Sequence, residues 1–289
     1  EISDALKGFA ADDPAKAMAI ADLDRDLDLD VVTVHPKSGR VGLIENLLHL
    51  QFRGTYFDQF APTERVDTLF IEDVDGNVSW DLILGGENRT MIVYTQTADA
   101  GAWTVEDVVE VDHPGSGAAL SDFDNDSWMD MLAPSGGNTD RTRIGPWGFS
   151  PWKKLPSFAP VRDVSVADLD RDGAVDVVGL DDSGVQILLN QTRGMGHHID
   201  VRFKGIDDNA SGRVNHYAIG GVLELRFGPH YRARIVDSPS THFGLDGFDD
   251  ASSVRAILPN GLTQTIRDPK IDSLVEEEQT LKGSCPYLY

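Results

Sequence analysis

Cysteine, basic residues and long apolar runs are scarce in this chain of 289 residues. The single cysteine, Cys285, excludes an internal disulfide framework, and because no histidine is near it in sequence we interpret it as an ordinary residue. Only 25 Lys and Arg accompany 48 Asp and Glu, for a formal net charge of −23. This balance argues against a nucleic-acid or anionic-membrane partner, since both are bound through clustered cations. No run approaches the roughly 18 apolar residues of a spanning helix, so we expect no transmembrane segment.

The acidic residues are concentrated in one pattern that occurs four times. Each copy has the form D-x-D-x-[DN]-x-x-x-D, and the copies begin at Asp22, Asp73, Asp122 and Asp168, at intervals of 51, 49 and 46 residues. Hydrophobic residues make up 40% of the chain, which is enough for a core. The near-constant period therefore predicts repeated structural units rather than a disordered acidic segment.

The spacing of the aspartates predicts metal-binding loops. In a tight loop, side-chain oxygens at positions 1, 3 and 5 converge, the carboxylate at position 9 closes the site, and the backbone carbonyl at position 7 completes it. Several carboxylates in an all-oxygen ligand set favour Ca²⁺, so we expect up to four calcium ions. The predicted ligands are Asp22, Asp24, Asp26, Asp28 and Asp30; Asp73, Asp75, Asn77, Ser79 and Asp81; Asp122, Asp124, Asp126, Trp128 and Asp130; Asp168, Asp170, Asp172, Ala174 and Asp176.

The acidic pattern has two alternative interpretations. An EF-hand or dockerin loop would carry an acidic residue at position 12, but the residues there are Thr33, Leu84, Ala133 and Gly179, and strand-like segments follow. Solvated acidic turns without metal remain a second alternative. Asn77 removes one charge, so the second loop is expected to bind a cation least tightly.

The residues around each loop predict an all-β fold. Short apolar segments rich in β-branched residues lie before and after every loop. A second strand pair follows, at 41–47, 91–96, 143–148 and 185–189, for about four strands in about 48 residues. That is the size of a propeller blade. The prediction is therefore four blades, alone or as part of a larger propeller.

The motif at blade-like spacing resembles the FG-GAP/VCBS repeats of integrin-like β-propellers, over residues 10 to 195. Residues 166 to 179 match best, whereas Leu27 and Ser127 stand where glycine is common. The resemblance implies loops that bind calcium. It also implies the domain division used below, with a propeller over 1–195.

Residues 196–289 differ in character and predict an antiparallel β-sandwich-like domain. His197 and His198 are expected in a polar linker between the two domains. Three segments, at 215–222, 242–246 and 258–261, resemble the ASPIC/UnbV signature N-x-x-x-I-G-x-x-V, H-F-G-L and W-P-N-G, with Leu258 in place of the Trp. That domain commonly follows FG-GAP repeats, as in the cartilage acidic protein family and bacterial secreted homologues. The resemblance implies an extracellular or periplasmic protein, although no signal is present in this numbering, and suggests a fragment of something longer.

No recognisable catalytic motif occurs in the sequence, so the expected function is a non-catalytic interaction or scaffold module with a protein or carbohydrate partner. The alternative is a carbohydrate-active enzyme of the polysaccharide lyase kind, or its sugar-binding part. Three aromatic residues, Trp147, Phe149 and Trp152, stand among Gly and Pro residues and are candidate contacts for a partner or sugar. Packing between blades is the other interpretation of these rings.

Overall fold

The computed structural model describes residues 6–47, 51–57, 66–86, 90–96, 103–110, 117–135, 138–155, 163–206 and 212–280. Apart from a 3-10 turn at Leu6–Gly8, the regular structure in these ranges consists of β-strands, which confirms the all-β prediction. Within the same ranges, no helix has the length and apolarity needed to cross a bilayer.

Each aspartate repeat forms one sheet in which strands adjacent in sequence are paired, as in a propeller blade. Sheet 1 contains β1 (Ala17–Ala21), β2 (Asp30–His35), β3 (Arg40–Asn46) and β4 (Phe52–Tyr56). Sheet 2 contains β5 (Val66–Glu72), β6 (Asp81–Gly86), β7 (Thr90–Gln96) and β8 (Trp103–Glu110). Sheet 3 contains β9 (Ala119–Ser121), β10 (Met129–Ser135), β11 (Asn138–Gly145), β12 (Gly148–Phe149) and β13 (Lys153–Leu155). Sheet 4 contains β14 (Asp163–Ala167), β15 (Asp176–Asp181) and β16 (Gly184–Leu188).

The four sheets pack face to face in chain order. Alternation along the second strand explains this, because successive side chains point to opposite faces. The residue directly after the closing aspartate packs toward the preceding sheet; in sheets 2, 3 and 4 it is Leu82, Met131 and Val177. The next residue along the strand packs toward the following sheet; in sheets 1, 2 and 3 it is Val32, Ile83 and Leu132. Three hydrophobic clusters therefore join the four sheets.

The outward faces of the first and last sheets keep exposed apolar side chains. On sheet 1, Met18 and Ile20 are 68% and 52% exposed. On sheet 4, Val185 and Ile187 are 67% and 61% exposed. Among the described residues no hydrophobic cluster joins sheet 4 to sheet 1, so the described part of the propeller is an open arc.

The C-terminal third forms two further sheets around their own hydrophobic cluster. Sheet 5 contains β17 (His197–Lys204), β20 (Thr241–Asp246) and β23 (Ser273–Glu278). Sheet 6 contains β18 (Val222–Phe227), β19 (His230–Ile235), β21 (Ser253–Ile257) and β22 (Thr263–Arg267). The two sheets together are called the sandwich below.

Two features of the sandwich and one of sheet 3 differ from the expectation. The sandwich is not wholly antiparallel, because β17 pairs with β23 in parallel. His197 and His198 do not form a linker but begin β17. In sheet 3 the strand expected at 143–148 ends at Gly145, because a turn at Pro146 and Trp147 separates it from β12. The domain boundary between residues 195 and 196 stays a prediction.

Candidate metal centres

Each aspartate loop connects the first two strands of its sheet. We number them loop 1 (22–30), loop 2 (73–81), loop 3 (122–130) and loop 4 (168–176). In every loop three carboxylates offer oxygen atoms that lie within 4.8 Å of one another, as a single cation requires. The groups are Asp22, Asp24 and Asp26; Asp73, Asp75 and Asp81; Asp122, Asp124 and Asp130; Asp168, Asp170 and Asp176.

The clusters include only part of the predicted ligand set. Positions 1 and 3 belong to all four, and the closing aspartate belongs to those of loops 2, 3 and 4. The remaining predicted ligands lie in the loops but outside these three-carboxylate groups, and their ligand role stays a prediction. They are Asp28, Asp30, Asn77, Ser79, Asp126, Trp128, Asp172 and Ala174.

The four loops share one backbone conformation. Positions 4 and 6 are left-handed in each, with φ between 57° and 86°. Glycine occupies position 4 in loop 2 and position 6 in loop 4, whereas Leu27, Val78 and Ser127 adopt φ of 77°, 74° and 73° at position 6. A left-handed L-residue costs roughly 1–2 kcal/mol, so the rest of the loop must hold these residues in place.

Side-chain hydrogen bonds supply part of that support. At position 5, one oxygen accepts a hydrogen bond from the backbone N–H of position 7, at 3.0 Å for Asp26 and 2.9 Å for Asp172. At position 1, Asp122 and Asp168 accept hydrogen bonds from the N–H of position 6, at 2.7 and 3.0 Å. The loops are therefore turns stabilised by their own carboxylates.

The closing aspartate ties each loop to its sheet. Its Oδ2 accepts a hydrogen bond from the N–H of position 2, as Asp81 does from Val74 at 2.8 Å. In loops 1, 2 and 4 its Oδ1 accepts a second one from the end of the third strand or just beyond it, as Asp176 does from Asn190 at 2.7 Å. The carboxylate is thus oriented by two backbone donors.

Several buried carboxylate oxygens in loops 1 and 3 have no hydrogen-bond partner among the described residues. They include Asp22 Oδ1, Asp124 Oδ1 and Asp130 Oδ1, and both oxygens of Asp28, which is only 6% exposed. A buried carboxylate without a partner is costly, and a cation would compensate for it. The sequence predicts a ligand role only for the backbone carbonyl of Asp28, so its buried side chain is an additional candidate ligand.

Burial and mutual repulsion raise the pKa values of many of these carboxyls. Burial, reinforced by the negative charge of Asp75, raises the pKa of Asp81 to about 8. Burial raises the pKa of Asp130 to about 7 and those of Asp22 and Asp30 to about 6. These carboxyls ionise unfavourably without a nearby positive charge, which is the property expected of cation ligands.

Loop 3 already has positive charges of its own. Arg141 donates hydrogen bonds to Asp124 and, at 2.8 Å, to Oδ2 of Asp130, and Arg143 forms an ion pair with Asp126. Arg141 lies on β11 opposite Leu132, and the corresponding positions of the other repeats hold Leu43, Val93 and Ile187. A guanidinium therefore lies between two expected calcium ligands in loop 3. The loop motif does not indicate this guanidinium, because Arg141 lies 11 residues beyond Asp130 on another strand.

The three candidate partner-contact aromatics separate into two environments. Phe149 and Trp152 stack with their ring centroids 6.1 Å apart and pack against the cluster between sheets 2 and 3. Trp147 is 46% exposed and meets Trp128 edge to face at 5.0 Å. Packing thus accounts for Phe149 and Trp152, and Trp147 is the exposed member of the three.

Comparison with known proteins yields distant likenesses of shape. No family model and no curated protein matches the sequence. An Agrocybe aegerita lectin described as recognising non-reducing terminal N-acetylglucosamine is 18% identical, with a TM-score of 0.45 over 88% of this chain and 66% of the lectin. Fructofuranosidase from Schwanniomyces occidentalis is 7% identical, with a TM-score of 0.39 over 88% of this chain and 77% of the enzyme. A Lactobacillus plantarum protein is 13% identical, with a TM-score of 0.39 over 89% of this chain and 71% of that protein. Likenesses this distant carry no inference about function.

Proposed function

We propose that this chain is a non-catalytic calcium-binding β-propeller module of the FG-GAP/VCBS kind, followed by an ASPIC/UnbV-like domain. The observation that carries the proposal is the convergence of three carboxylates at the same place in four successive sheets. Chance acidic turns would not repeat one backbone conformation and one hydrogen-bond pattern four times. A bound cation would neutralise the carboxylates and stabilise the connection between the first two strands of each blade.

The chemistry of the donors favours calcium. They are oxygen atoms, several of them carboxylate, and Ca²⁺ accepts six to eight such ligands in flexible geometry. Loops 1, 2 and 4 would hold the ion through the carboxylates that converge in them. Loop 3 fits a cation less well, since Arg141 already supplies charge to Asp124 and Asp130. We therefore expect three bound ions per chain.

The test is calcium stoichiometry combined with thermal unfolding. After dialysis against calcium, metal analysis should give about three ions per chain, and chelation should lower the melting temperature reversibly. A ligand at 100 times its dissociation constant contributes roughly 2.7 kcal/mol per independent site. The variant Asp75→Asn should lose one ion, whereas Asp250→Asn, at an exposed position in the sandwich, should lose none. A chain that retains no calcium and melts identically with chelator would refute the proposal.

The proposed setting is extracellular or periplasmic, and the proposed role is that of an interaction or scaffold module. Extracellular modules bind calcium with dissociation constants of about 10⁻⁴ to 10⁻³ M, which their surroundings saturate. The charge of −23 supports a protein or carbohydrate partner over nucleic acid. Pull-down from secreted fractions with and without calcium would test this role.

Carbohydrate binding is the second candidate, and the exposed ring of Trp147 favours it. An exposed aromatic ring can stack on the flat face of a sugar. Binding to a panel of acidic and neutral polysaccharides should then be lost in Trp147→Ala and kept in Asp250→Asn. Turnover of a polysaccharide, abolished by replacing carboxylates outside the four loops, would instead indicate an enzyme.

A further inference from the structure

The sandwich lies against all four aspartate loops. At loop 2, the N–H of Ala233 in β19 donates a hydrogen bond to Oδ2 of Asp73, at 3.1 Å. Arg232, the preceding residue, donates to the carbonyl of Ser127 in loop 3 at 2.9 Å, and its guanidinium lies 3.9 Å from the ring centroid of Trp128. Arg234 forms an ion pair with Glu72 at 3.2 Å, directly before loop 2. Strand β19 thus bridges loops 2 and 3.

Loop 3 makes further contacts with the other sheet of the sandwich. The carbonyl of Asn125 accepts a hydrogen bond from the N–H of Asp246 at 2.7 Å, and its side-chain oxygen lies 2.9 Å from Nε2 of His242. The N–H of Gly196 donates to the carbonyl of Asp124 at 3.2 Å. A Cβ at Gly244 would overlap Oδ2 of Asp122 and the backbone of Asn125. The absence of a side chain at Gly244 lets sheet 5 approach the loop.

Loops 1 and 4 complete the contact. Arg25 in loop 1 pairs with Glu224 of β18 at 3.2 Å, and Leu27 lies where a Cβ at Gly261 would be. In loop 4, Gly173 faces the ring of His198, again so closely that a Cβ would overlap it. The loops therefore form an interface within the chain at positions 4 to 6, while other parts of loops 1 and 4 stay exposed.

We infer that docking of the sandwich and binding of cations in the loops are thermodynamically coupled. This inference rests on the proposed calcium binding. The sandwich contacts fix the residues at positions 4 to 6 and orient a ligand carboxylate, Asp73, so a docked sandwich presents the loops in a binding-ready form. By linkage, a cation that orders the loops must stabilise the docked sandwich by the same factor.

Gly244→Ala tests the coupling, because it disturbs docking at loop 3, where Arg141 already supplies the charge. If this variant binds cations more weakly in loops 1 and 2, the effect must reach those loops through the sandwich. Gly247→Ala is the matched control, since a Cβ there meets nothing within 4 Å. Terbium ions are a suitable probe for loops 1 and 2, because the buried Trp80 of loop 2 donates a hydrogen bond to the carbonyl of Asp22 and can sensitise terbium luminescence.

In Gly244→Ala we expect terbium affinity to fall at least fivefold, in the usual range of coupling between sites, and amide exchange at Ala233 and Asp246 to accelerate. Gly247→Ala should match the wild type. In the wild type, adding calcium should slow exchange at the same two amides, which tests the coupling even if Gly244→Ala folds poorly.

Unchanged exchange on adding calcium, or unchanged affinity in a folded Gly244→Ala chain, would overturn the coupling. Either result would still agree with the proposed calcium binding by the wild-type chain. A wild-type chain that binds neither calcium nor terbium would instead overturn the proposed function itself.

A separate observation concerns the two open ends of the arc. Val31 of sheet 1 lies on the face that, in sheets 2 to 4, packs on the preceding sheet. Val178 of sheet 4 lies on the face that, in sheets 1 to 3, packs on the following sheet. Their neighbours Ile20 and Ile187 are paired with them in register and are exposed. Phe9 covers part of the first face through its contacts with His35 and Tyr56. Met18 on the first face and Val185 on the second are exposed as well.

We propose that a second copy of this chain occupies these faces, head to tail, with sheet 4 of one copy against sheet 1 of the next. Within the chain, the equivalent faces of successive sheets pack together at three contacts. The intermolecular contact would therefore repeat an interface that the chain already forms. Such a heterologous contact closes into a ring of two copies or propagates.

Sedimentation equilibrium of the full chain in calcium tests this pairing. The wild type should associate reversibly with rising concentration, and the double variant Val185→Lys, Ile187→Lys should stay monomeric. Leu262→Lys, at a 41% exposed position in the sandwich, should associate like the wild type. A wild type that stays monomeric at about 100 µM, or a double variant that still associates, would overturn the proposal.

Discussion

The buried closing aspartate of loop 2 predicts how stability depends on pH when cations are removed. Asp81 is fully buried, and burial raises its pKa from the ordinary 3.8 to about 8. Between these values the folded chain keeps a proton that the unfolded chain has released. Each pH unit in that interval therefore lowers the free energy of unfolding by about 1.4 kcal/mol.

From pH 5 to pH 8, Asp81 alone should lower the free energy of unfolding by on the order of 4 kcal/mol. The stability is fully present below pH 3.8, and its loss is complete only near pH 8. Saturating calcium should make this slope shallower, because the cation stabilises the ionised carboxylate that burial disfavours. Protonation and calcium binding therefore compete for the same group.

The assay is urea unfolding at several pH values in cation-free buffer, followed by the fluorescence of the buried Trp80. Asp81→Asn removes the titrating group and should flatten the slope, whereas Asp250→Asn should leave it unchanged. A free energy of unfolding that stays level or rises from pH 5 to pH 8 without cations would refute the reasoning, as would an unchanged slope in Asp81→Asn.

Two further pairs of variants test the loops, each pairing a loop-related substitution with a control outside the loops. In metal analysis, Arg141→Gln should raise the calcium stoichiometry from three to four by freeing Asp124 and Asp130 from its guanidinium. The control Arg202→Gln, which breaks an ion pair in the sandwich, should leave the stoichiometry unchanged. Gly194→Ala, with φ of 70° and open space around a Cβ, should lower the free energy of unfolding by roughly 1 kcal/mol. Gly173→Ala should lower it more, because its Cβ also overlaps His198. Equal losses in thermal unfolding would contradict that contact.

The parts of this molecule that could be predicted from sequence are governed by local spacing. Alternate side chains converge in a tight loop whatever surrounds it, so the carboxylates at positions 1 and 3 come together as predicted. The period of the repeats predicts the sheets for the same reason, since each blade forms from strands adjacent in sequence.

The parts that could not be predicted depend on contacts distant in sequence. Arg141 reaches loop 3 across a strand pairing, and its charge is visible in the sequence but its register is not. Ala233 donates to Asp73 from 160 residues away, so nothing near the repeat indicates that the sandwich covers it. The parallel pairing of β17 with β23 likewise joins segments more than 70 residues apart.

The closing aspartate is positioned by the loop in a way that would favour cation binding. In loops 1, 2 and 4 both of its oxygens accept backbone hydrogen bonds, so the carboxylate is held in place before any cation arrives; Asp176 illustrates this through Leu169 and Asn190. A preorganised ligand loses little conformational entropy on binding, which raises affinity. In loop 3 the N–H of Phe123 still donates to Oδ2 of Asp130, but Arg141 donates to the same oxygen, and Oδ1 has no hydrogen-bond partner in the described part of the chain. One repeat has thus replaced the backbone donor with a charged side chain, which supplies permanently the positive charge that the other three would obtain from an ion.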